Sequence, residues 1–284
     1  MKFMLGRFGS EKDLTCQTEN GLMTFSSKDG VLARRLYCRG HWDVPFVENC
    51  LAQLIGSGLI KKSGNGTLVN AGSNIGAILT LLMRKGLFDS GMGFEPAPKT
   101  FGYLERNIRQ NDLGDRVSLF QVGLSDRDAE GTLELSTSNS GDHRVREAAD
   151  ARAAYGEHKR STIAVSLRTL DSILDEKGID PASLDLLWVD IQGHEGRFFH
   201  GARRALSGGA PVVCEFWPYG IERSGMGRDG YCGILEELFV GFYQLQQEDW
   251  VYRPIGESRD LYDERCNELA TIDVIYVRER DGAR

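Results

Sequence analysis

The stretch that decides the fold is Val69-Asn70-Ala71-Gly72-Ser73-Asn74-Ile75-Gly76. It belongs to a short apolar run that begins at Thr67, and it leads into a segment, 75–85, whose apolar residues repeat at helical spacing. A glycine-bearing turn between a strand and a helix lets the chain reverse tightly and lets a ligand approach the backbone. The stretch therefore predicts a strand–turn–helix unit with a ligand site at the turn.

The same alternation of strands and helices continues downstream. Amphipathic helices are predicted at 98–111, 194–206 and 233–240, and apolar strands at 91–94, 117–122, 184–191, 211–216, 243–247 and 270–277. Alternating strands and helices form a mostly parallel sheet with helices on both faces. We therefore expect an α/β, Rossmann-like fold with one antiparallel strand near the C-terminus.

Two segments depart from this rhythm. Residues 1–66 are predicted to form an N-terminal cap, and residues 67–284 the main domain. Within the main domain, 136–160 is polar and charged, which predicts an inserted loop that acts as a lid or is disordered. The expected elements of the cap are a hairpin of strand-like stretches at 21–25 and 31–36 and a helix over 44–60.

Composition narrows the class of protein. The 284 residues carry a net charge of −7, so an extended basic surface for a nucleic acid is not expected. The six cysteines have neither paired C-x-x-C spacing nor a zinc pattern, which indicates free thiols in a reducing compartment. No apolar run approaches the ~20 residues of a membrane span, and the N-terminus does not resemble a signal peptide. We expect a cytoplasmic protein that binds neither nucleic acid nor membrane.

The turn after the first strand favours one adenosine cofactor over another. A nicotinamide fingerprint needs glycines at positions 72, 74 and 77, but positions 74 and 77 hold asparagine and alanine. A methyltransferase turn needs an acidic or amide residue followed by glycines, and the chain has Asn70, Gly72, Asn74 and Gly76. A turn that binds no ligand is the alternative.

A second signal follows the next strand. Glu95 and Pro96 stand directly after the apolar stretch Gly91–Phe94, and Glu95 lies 23 residues after Gly72. A carboxylate at about this distance accepts hydrogen bonds from the ribose hydroxyls of an adenosine cofactor. Both signals together predict a site for S-adenosylmethionine.

Several motifs in order resemble the FkbM-type methyltransferases. They are Val69-Asn-Ala-Gly-Ser-Asn-Ile-Gly76, Gly93-Phe-Glu-Pro96, Leu104-x-x-Asn107-Ile-x-x-Asn111, Leu167-x-Thr-Leu-Asp171, Val189-Asp-Ile-Gln-Gly-His-Glu195 and Gly201-Ala202. The resemblance covers roughly 67–217. The chain departs from the family pattern at Asn70 and Ser73, and again at Trp188, Gln192 and His194.

The resemblance implies a class I methyltransferase fold, S-adenosylmethionine as the cofactor, and a hydroxyl on a sugar, polyketide or other secondary metabolite as the small-molecule acceptor. It implies that Asn70, Gly72 and Gly76 lie near the methionine moiety, Glu95 on the ribose, and 122–126 near the adenine. The full set of expected cofactor-binding residues is Asn70, Gly72, Asn74, Gly76, Glu95, Pro96, Val122, Asp126 and Asp190.

Catalysis of methyl transfer to an alcohol requires alignment of the oxygen and a base or a metal to take its proton. The candidate catalytic residues are Asp190, His194, Glu195, Glu215 and, on the inserted loop, His143. Asp190 is the leading base because it ends an otherwise apolar strand. Glu195 could instead stabilise a helix N-terminus, and both histidines could be solvated loop residues. Asp190, Glu195 and Glu215 would be the ligands if a divalent metal took part, although we favour a metal-free base.

Two rival functions remain at this stage. One is an NAD-dependent oxidoreductase, which Asn74 disfavours. The other is a non-catalytic module that binds S-adenosylmethionine, suggested by the replacements at Asn70 and Gln192. The sequence does not define the oligomeric state.

Overall fold

The computed structural model describes residues 10–61, 66–147 and 154–278. The strands are β1 (Asp13–Thr18), β2 (Gly21–Ser26), β3 (Thr67–Ala71), β4 (Ser90–Phe94), β5 (Val117–Phe120), β6 (Gly123–Leu124), β7 (Ala129–Leu135), β8 (Arg144–Val145), β9 (Ser161–Arg168), β10 (Leu184–Val189), β11 (Val212–Phe216), β12 (Gly241–Gln246), β13 (Asp249–Pro254) and β14 (Ile272–Val277). The helices are α1 (Leu32–Arg39), α2 (Val44–Gly56), α3 (Ala77–Arg84), α4 (Pro98–Gln110), α5 (Leu170–Lys177), α6 (Glu195–Gly201), α7 (Arg203–Ser207), α8 (Pro218–Arg223), α9 (Arg228–Leu238) and α10 (Ser258–Arg265).

The main sheet has eight strands in the order β13-β12-β14-β11-β10-β3-β4-β5. Along the chain, strands are first added on one side of β3, as β4 and β5. Strand β10 then pairs with the other side of β3, and the later strands extend the sheet beyond it. The order therefore reverses between β3 and β10, which are parallel neighbours. In such sheets a ligand binds at the carboxyl ends of the strands beside this switch point. The predicted α/β, Rossmann-like fold with a mostly parallel sheet is confirmed.

Apolar side chains cover both faces of the sheet, as continuous apolar strands require. On one face, α2, α3 and α4 pack on residues such as Leu68, Leu186 and Val213. On the other, α5, α6, α7 and α9 pack on residues such as Val69, Leu187 and Val212. None of the helices in the described ranges is long and apolar enough to cross a membrane.

Two strands, β14 and β13, run against the direction of the rest, because β14 is antiparallel to β11 and β13 is antiparallel to β12. The prediction of a single antiparallel strand missed β13, an edge strand. Its residues are exposed or half-buried throughout, so it lacks the buried apolar run that identified the other strands. The predicted helix over 194–206 is divided into α6 and α7 at Ala202, and α8 was not predicted.

The N-terminal segment differs from its prediction in one element. The hairpin consists of β1 and β2, whereas the stretch expected to be its second strand, 31–36, lies mostly in helix α1. The Asp29 carboxylate accepts hydrogen bonds from the backbone N–H groups of Val31 and Ala33, which stabilises the start of that helix. The alternation of apolar residues in 31–36 was too short to distinguish the two structures.

Asparagine side chains attach this hairpin to the main domain. The buried Asn107 amide of α4 bonds the backbone N–H and C=O of Thr24 and the C=O of Ile75. Asn111 bonds the N–H and C=O of Leu22. A side-chain amide is both donor and acceptor, so it can satisfy a strand edge as another strand would. The Leu104-x-x-Asn107-Ile-x-x-Asn111 motif therefore joins the hairpin to the domain.

The inserted segment is more ordered than a loop. A second sheet, in the order β6-β9-β7-β8, was not predicted as a unit. In the described part of 136–160, Arg144 pairs with Glu157 at 2.6 Å and with Asp142, and Arg144 and Glu157 are both buried. The charges that suggested a solvated loop pair with one another instead. Part of the predicted loop, 148–153, lies outside the described residues.

Candidate active site

A cavity of about 430 Å³ opens at the carboxyl ends of β3, β4, β10 and β11, beside the switch point. Of the predicted site residues, the following line it: Asn70, Gly72, Asn74, Glu95, Pro96, Val122, His143, Asp190, His194 and Glu215. Three others, Gly76, Asp126 and Glu195, are not among its lining residues. The structure therefore brings most of the predicted residues together.

The turn after β3 is shaped by close contact within the protein. Gly72 has φ +76°, and a Cβ there would lie 1.9 Å from the backbone oxygen of Asp190. Only glycine allows β3 and β10 to approach so closely at this point. Gly76, with φ +86°, precedes α3, and a Cβ there would lie 2.7 Å from the Leu104 side chain. Backbone contact requires glycine at position 72, which also faces the cavity, whereas at position 76 the left-handed φ favours glycine and the Leu104 side-chain end can move.

Glu95 is held in place by backbone donors. Its Oε2 accepts a hydrogen bond from the Asn74 N–H at 3.1 Å and its Oε1 one from the Ala97 N–H at 2.9 Å. Burial raises the pKa of the Glu95 carboxyl to about 7, an effect that these two hydrogen bonds oppose. Each carboxylate oxygen has a further lone pair, so the group can still accept hydrogen bonds from a ligand.

Asn70 is buried in β3, and its two polar ends differ. Its Nδ2 donates to the backbone oxygen of Trp188 at 3.3 Å. Its Oδ1 has no hydrogen-bond partner among the described residues. Because the residue lines the cavity, this oxygen is an acceptor available to a ligand.

Carboxylates occupy the ends of β10 and β11. The Gln192 amide Nε2 donates to Asp190 Oδ1 at 2.6 Å and to Glu215 Oε2 at 3.2 Å, so it joins the two groups. The Asp190 side chain is exposed and lines the cavity. Desolvation raises its pKa to about 6. Desolvation, together with the charges of Asp190 and Glu195, raises the pKa of Glu215 well above its ordinary value.

A smaller adjoining cavity of about 260 Å³, which we call the acidic chamber, shares Asp190 and Glu215 with the first. Asp273 of β14 lies directly across from Glu215 in the sheet register. Burial and the Asp190 charge raise the Asp273 pKa to about 7. Aromatic side chains complete the walls: Trp42, Phe46 and Trp188.

His194 is buried and neutral. Burial lowers its pKa to about 3. Its Nε2 lies 2.8 Å from the Ser125 hydroxyl, which in turn donates to the Asp126 carboxylate at 3.2 Å. Because the hydroxyl proton goes to Asp126, the ring proton lies on Nε2 and the Nδ1 lone pair is free. Nδ1 has no partner among the described residues.

Asp126 pairs with Arg197 at 2.7 Å and with Arg127 at 2.8 Å. Its carboxylate thus holds Arg197 and the Ser125–His194 pair in place. Within 122–126, the cavity is lined by Val122, Gly123 and Leu124.

The inserted segment reaches the cavity through several residues, of which His143 and Ser140 make hydrogen bonds that fix it. His143 Nδ1 accepts a hydrogen bond from the Ser136 N–H at 3.1 Å, which places the proton of the neutral ring on Nε2. Burial lowers the His143 pKa. The Ser140 hydroxyl bonds Asp29 Oδ2 at 2.6 Å and Asn74 Oδ1 at 3.1 Å. Ser140 thereby joins the insertion to the N-terminal segment and to the turn after β3.

Glu195 begins α6 behind the cavity. Its Oε1 accepts a hydrogen bond from the Ile191 N–H at 3.0 Å. This bond fixes the loop between β10 and α6. Burial raises the Glu195 pKa to about 7. The described residues contain no group of three His, Cys, Asp or Glu side chains placed to hold a metal ion. Asp190, Glu195 and Glu215, the ligands considered from the sequence, thus do not converge on one point.

Sequence reasoning missed Trp42, Asp43 and Asp273. Asp273 interrupts an apolar strand, which is the signal that identified Asp190, and the same rule would have found it. Trp42 and Asp43 stand in a segment without a motif. Their position is fixed by the buried Asn20, whose amide bonds both the N–H and the C=O of Trp42.

Comparison with known proteins agrees with this geometry. The profile of the Methyltransferase FkbM domain matches residues 70–248. The chain is 30% identical over 149 residues to the 2-O-methyltransferase NoeI of Sinorhizobium fredii (strain NBRC 101917 / NGR234), covering 49% of this chain and 56% of that protein. It is 39% identical over 72 residues to the methyltransferase sdnD of Sordaria araneosa, covering 25% of this chain and 27% of that one.

The chain thus spans about half the length of NoeI and about a quarter of sdnD. A crystal structure of a methyltransferase FkbM from Methylobacillus flagellatus KT aligns with 78% of this chain and 46% of its own, at 18% identity and a TM-score of 0.47. The profile match covers more than half of the chain, so the chain belongs to the FkbM family of S-adenosylmethionine-dependent methyltransferases.

Proposed function

We propose that the protein transfers the methyl group of S-adenosylmethionine to a hydroxyl of a small molecule, such as a sugar, a polyketide or another secondary metabolite. The observation that carries this proposal is the position of Asp190. Its carboxylate ends β10, faces the cavity beside the β3 turn, and has a pKa raised to about 6 by desolvation. The similarity to a 2-O-methyltransferase supports oxygen as the methylated atom.

The residues beside the switch point suit the cofactor. The Glu95 carboxylate would accept hydrogen bonds from the ribose hydroxyls. Its oxygens keep free lone pairs in addition to those that accept the two backbone N–H groups. Asn70, which lines the cavity beside Gly72, would lie near the methionine moiety. Val122, Gly123 and Leu124 would contact the adenine. Asp126 is not included as a direct contact because its carboxylate pairs with arginines.

Bound S-adenosylmethionine supplies a methyl group on a positively charged sulfur, which an aligned oxygen can take. In our proposal the acceptor hydroxyl donates its proton to Asp190, and Gln192 and Glu215 orient that carboxylate. A base is most effective when its pKa is near the working pH, so Asp190 is better suited than His194, whose pKa is about 3. His143 is the weaker candidate because its Nδ1 lone pair is already occupied.

Calorimetry tests the cofactor, and labelled methyl transfer tests the reaction. We expect S-adenosylhomocysteine to bind in the micromolar range and NAD not to bind. A screen of hydroxylated sugars and polyketides with methyl-labelled S-adenosylmethionine should give a labelled ether, and chelator treatment should leave its rate unchanged. Tight cofactor binding without turnover of any acceptor would favour a non-catalytic binding module. If EDTA abolished the activity and magnesium restored it, a metal ion and not a carboxylate base would activate the acceptor hydroxyl.

A further inference from the structure

The carboxylates of the acidic chamber form a row across three neighbouring strands. Asp273 and Glu215 are cross-strand partners on β14 and β11, and Gln192 connects Glu215 to Asp190 at the end of β10. Like charges directly opposite one another in a sheet are destabilising. Desolvation by the surrounding protein, followed by the charges of acidic neighbours, raises the pKa of each of the three carboxyls.

The protein itself does not balance this negative charge. Among the described residues, no arginine or lysine forms an ion pair with Asp190, Glu215 or Asp273; the uncharged Gln192 amide and Thr271 hydroxyl are their hydrogen-bond donors. Arg35, which lines the larger cavity, pairs with Asp43 at 3.4 Å and lies over the Trp42 ring. Elsewhere in this chain, buried carboxylates such as Glu134 and Glu157 are paired with arginines. Two others, Glu95 and Glu195, are buried and accept hydrogen bonds from backbone N–H groups instead, so they share with the row the absence of a basic partner among the described residues.

The remaining lining is also suited to a cation. Phe46 and Trp188 meet edge to face at 5.8 Å in the wall of the chamber, and Trp42 lies beside them. Aromatic faces attract ammonium groups, most strongly where water is excluded. The Oδ1 of Asn70, unpartnered among the described residues and 2% exposed, lies in the adjoining cavity with Trp188, Asp190 and Glu215. Ionised carboxylates, an amide oxygen and aromatic faces all attract positive charge, so this lining favours a ligand that donates hydrogen bonds and is a cation.

We propose that the methyl acceptor carries a protonated amine, and that this amine binds in the acidic chamber between the aromatic wall and the row Asp190–Glu215–Asp273. The inference rests on the proposed function and names its substrate class: an amino sugar or another amino alcohol. The cofactor's own positive charge does not explain the whole row. Gly72 and Asn70 place the cofactor over β3, whereas Glu215 and Asp273 stand two and three strands away from β3.

A divalent metal suits the chamber less well than an amine. Magnesium and calcium need several oxygens that converge at short range. The described carboxylates are not grouped in this way, and half of the chamber wall is aromatic or aliphatic.

The test compares amines with neutral molecules of the same shape. Benzylamine is titrated against benzyl alcohol, and glucosamine against glucose, by the fluorescence of Trp42 and Trp188 and by calorimetry, with and without S-adenosylhomocysteine. We expect at least one amine to bind about tenfold or more tightly than its neutral partner. Equal affinity in both pairs overturns the inference, as does displacement of the amine by magnesium chloride.

A variant pair locates the binding. Asp273→Asn keeps the shape of the side chain and removes one charge of the row, so it should weaken amine binding about tenfold and leave S-adenosylhomocysteine binding unchanged. Its melting temperature should rise, because it relieves repulsion in the free protein. Asp249→Asn, at an exposed site on β13, should change none of these values.

Unchanged amine binding in Asp273→Asn, or a lower melting temperature, would show that Asp273 serves the fold and would overturn the inference. The two proposals fail separately. If the wild-type protein does not bind S-adenosylhomocysteine, the proposed function is wrong. If it binds the cofactor product and methylates neutral alcohols as readily as amino alcohols, the substrate class alone is wrong.

Discussion

The two halves of the cavity are built from different parts of the chain. On the side of β3 and β4, the Glu95 carboxylate is fixed by two backbone N–H groups, and the turn at Gly72 is set by contact with the backbone of Asp190. On the side of β10, β11 and β14, the carboxylates of Asp190, Glu215 and Asp273 meet an amide, a hydroxyl and one another. One half consists mainly of main chain and the other of side chains.

This difference explains what each half can do. Backbone N–H donors do not depend on which side chain a residue carries, so they suit a cofactor that a whole family shares. Side chains gathered from separate strands can be exchanged one at a time, so they suit an acceptor that differs among relatives. The departures from the family pattern fall on both sides: Asn70 and Ser73 lie at the β3 turn, and Gln192 and His194 follow β10.

The largest effect is expected on turnover, from a substitution on the side of β10, β11 and β14, where side chains form the cavity wall. Asp190→Asn keeps the shape but removes the proton acceptor, so turnover should fall by ~10²–10⁴-fold. The rate of S-adenosylhomocysteine formation with an acceptor found by screening measures this. Asp249→Asn is the matched control and should keep full activity. A fully active Asp190→Asn protein would leave Asp190 a structural role and make His194 the leading base.

On the side of β3 and β4, which is built mainly from main chain, a substitution should lower the free energy of unfolding. Gly72→Ala must strain a left-handed residue and push a Cβ against the Asp190 backbone, so it should cost about 3 kcal/mol or more of unfolding free energy. Gly86→Ala has nearly the same φ, +71°, with nothing within 4 Å of the added atom, and should cost about 1 kcal/mol. Urea unfolding compares the two variants. Equal losses would mean that the close approach of β3 and β10 is not required.

The smallest of the three effects is expected on the affinity for the cofactor product when Glu95 is replaced. Glu95→Ala should weaken S-adenosylhomocysteine binding by about 1–3 kcal/mol, the range for loss of a charge-assisted hydrogen bond. Calorimetry measures the dissociation constant, and Glu130→Ala, at an exposed site on β7, is the control. An unchanged dissociation constant would move the ribose contact to another residue.

The sequence by itself determined the α/β fold and the residues that line the β3 and β4 side of the cavity, because each of their signals is local. The β3 turn, Glu95 after β4, and Asp190 after β10 all stand at the ends of apolar strands, and parallel strands bring those ends to one edge. Local signals also have limits. The exposed β13 lacked an apolar run, and the charges of 136–160 gave no sign that Arg144 and Glu157 pair and become buried.

Only the tertiary structure decided the composition of the other half. Trp42 is 231 residues from Asp273 in sequence, yet both line one chamber, because Asn20 fixes the first and the antiparallel pairing of β14 with β11 places the second. Likewise, a pKa depends on what surrounds the group: desolvation gives His194 a pKa of about 3 and Asp273 one of about 7. A sequence lists these side chains but not their neighbours, and it is the neighbours that fix their charge.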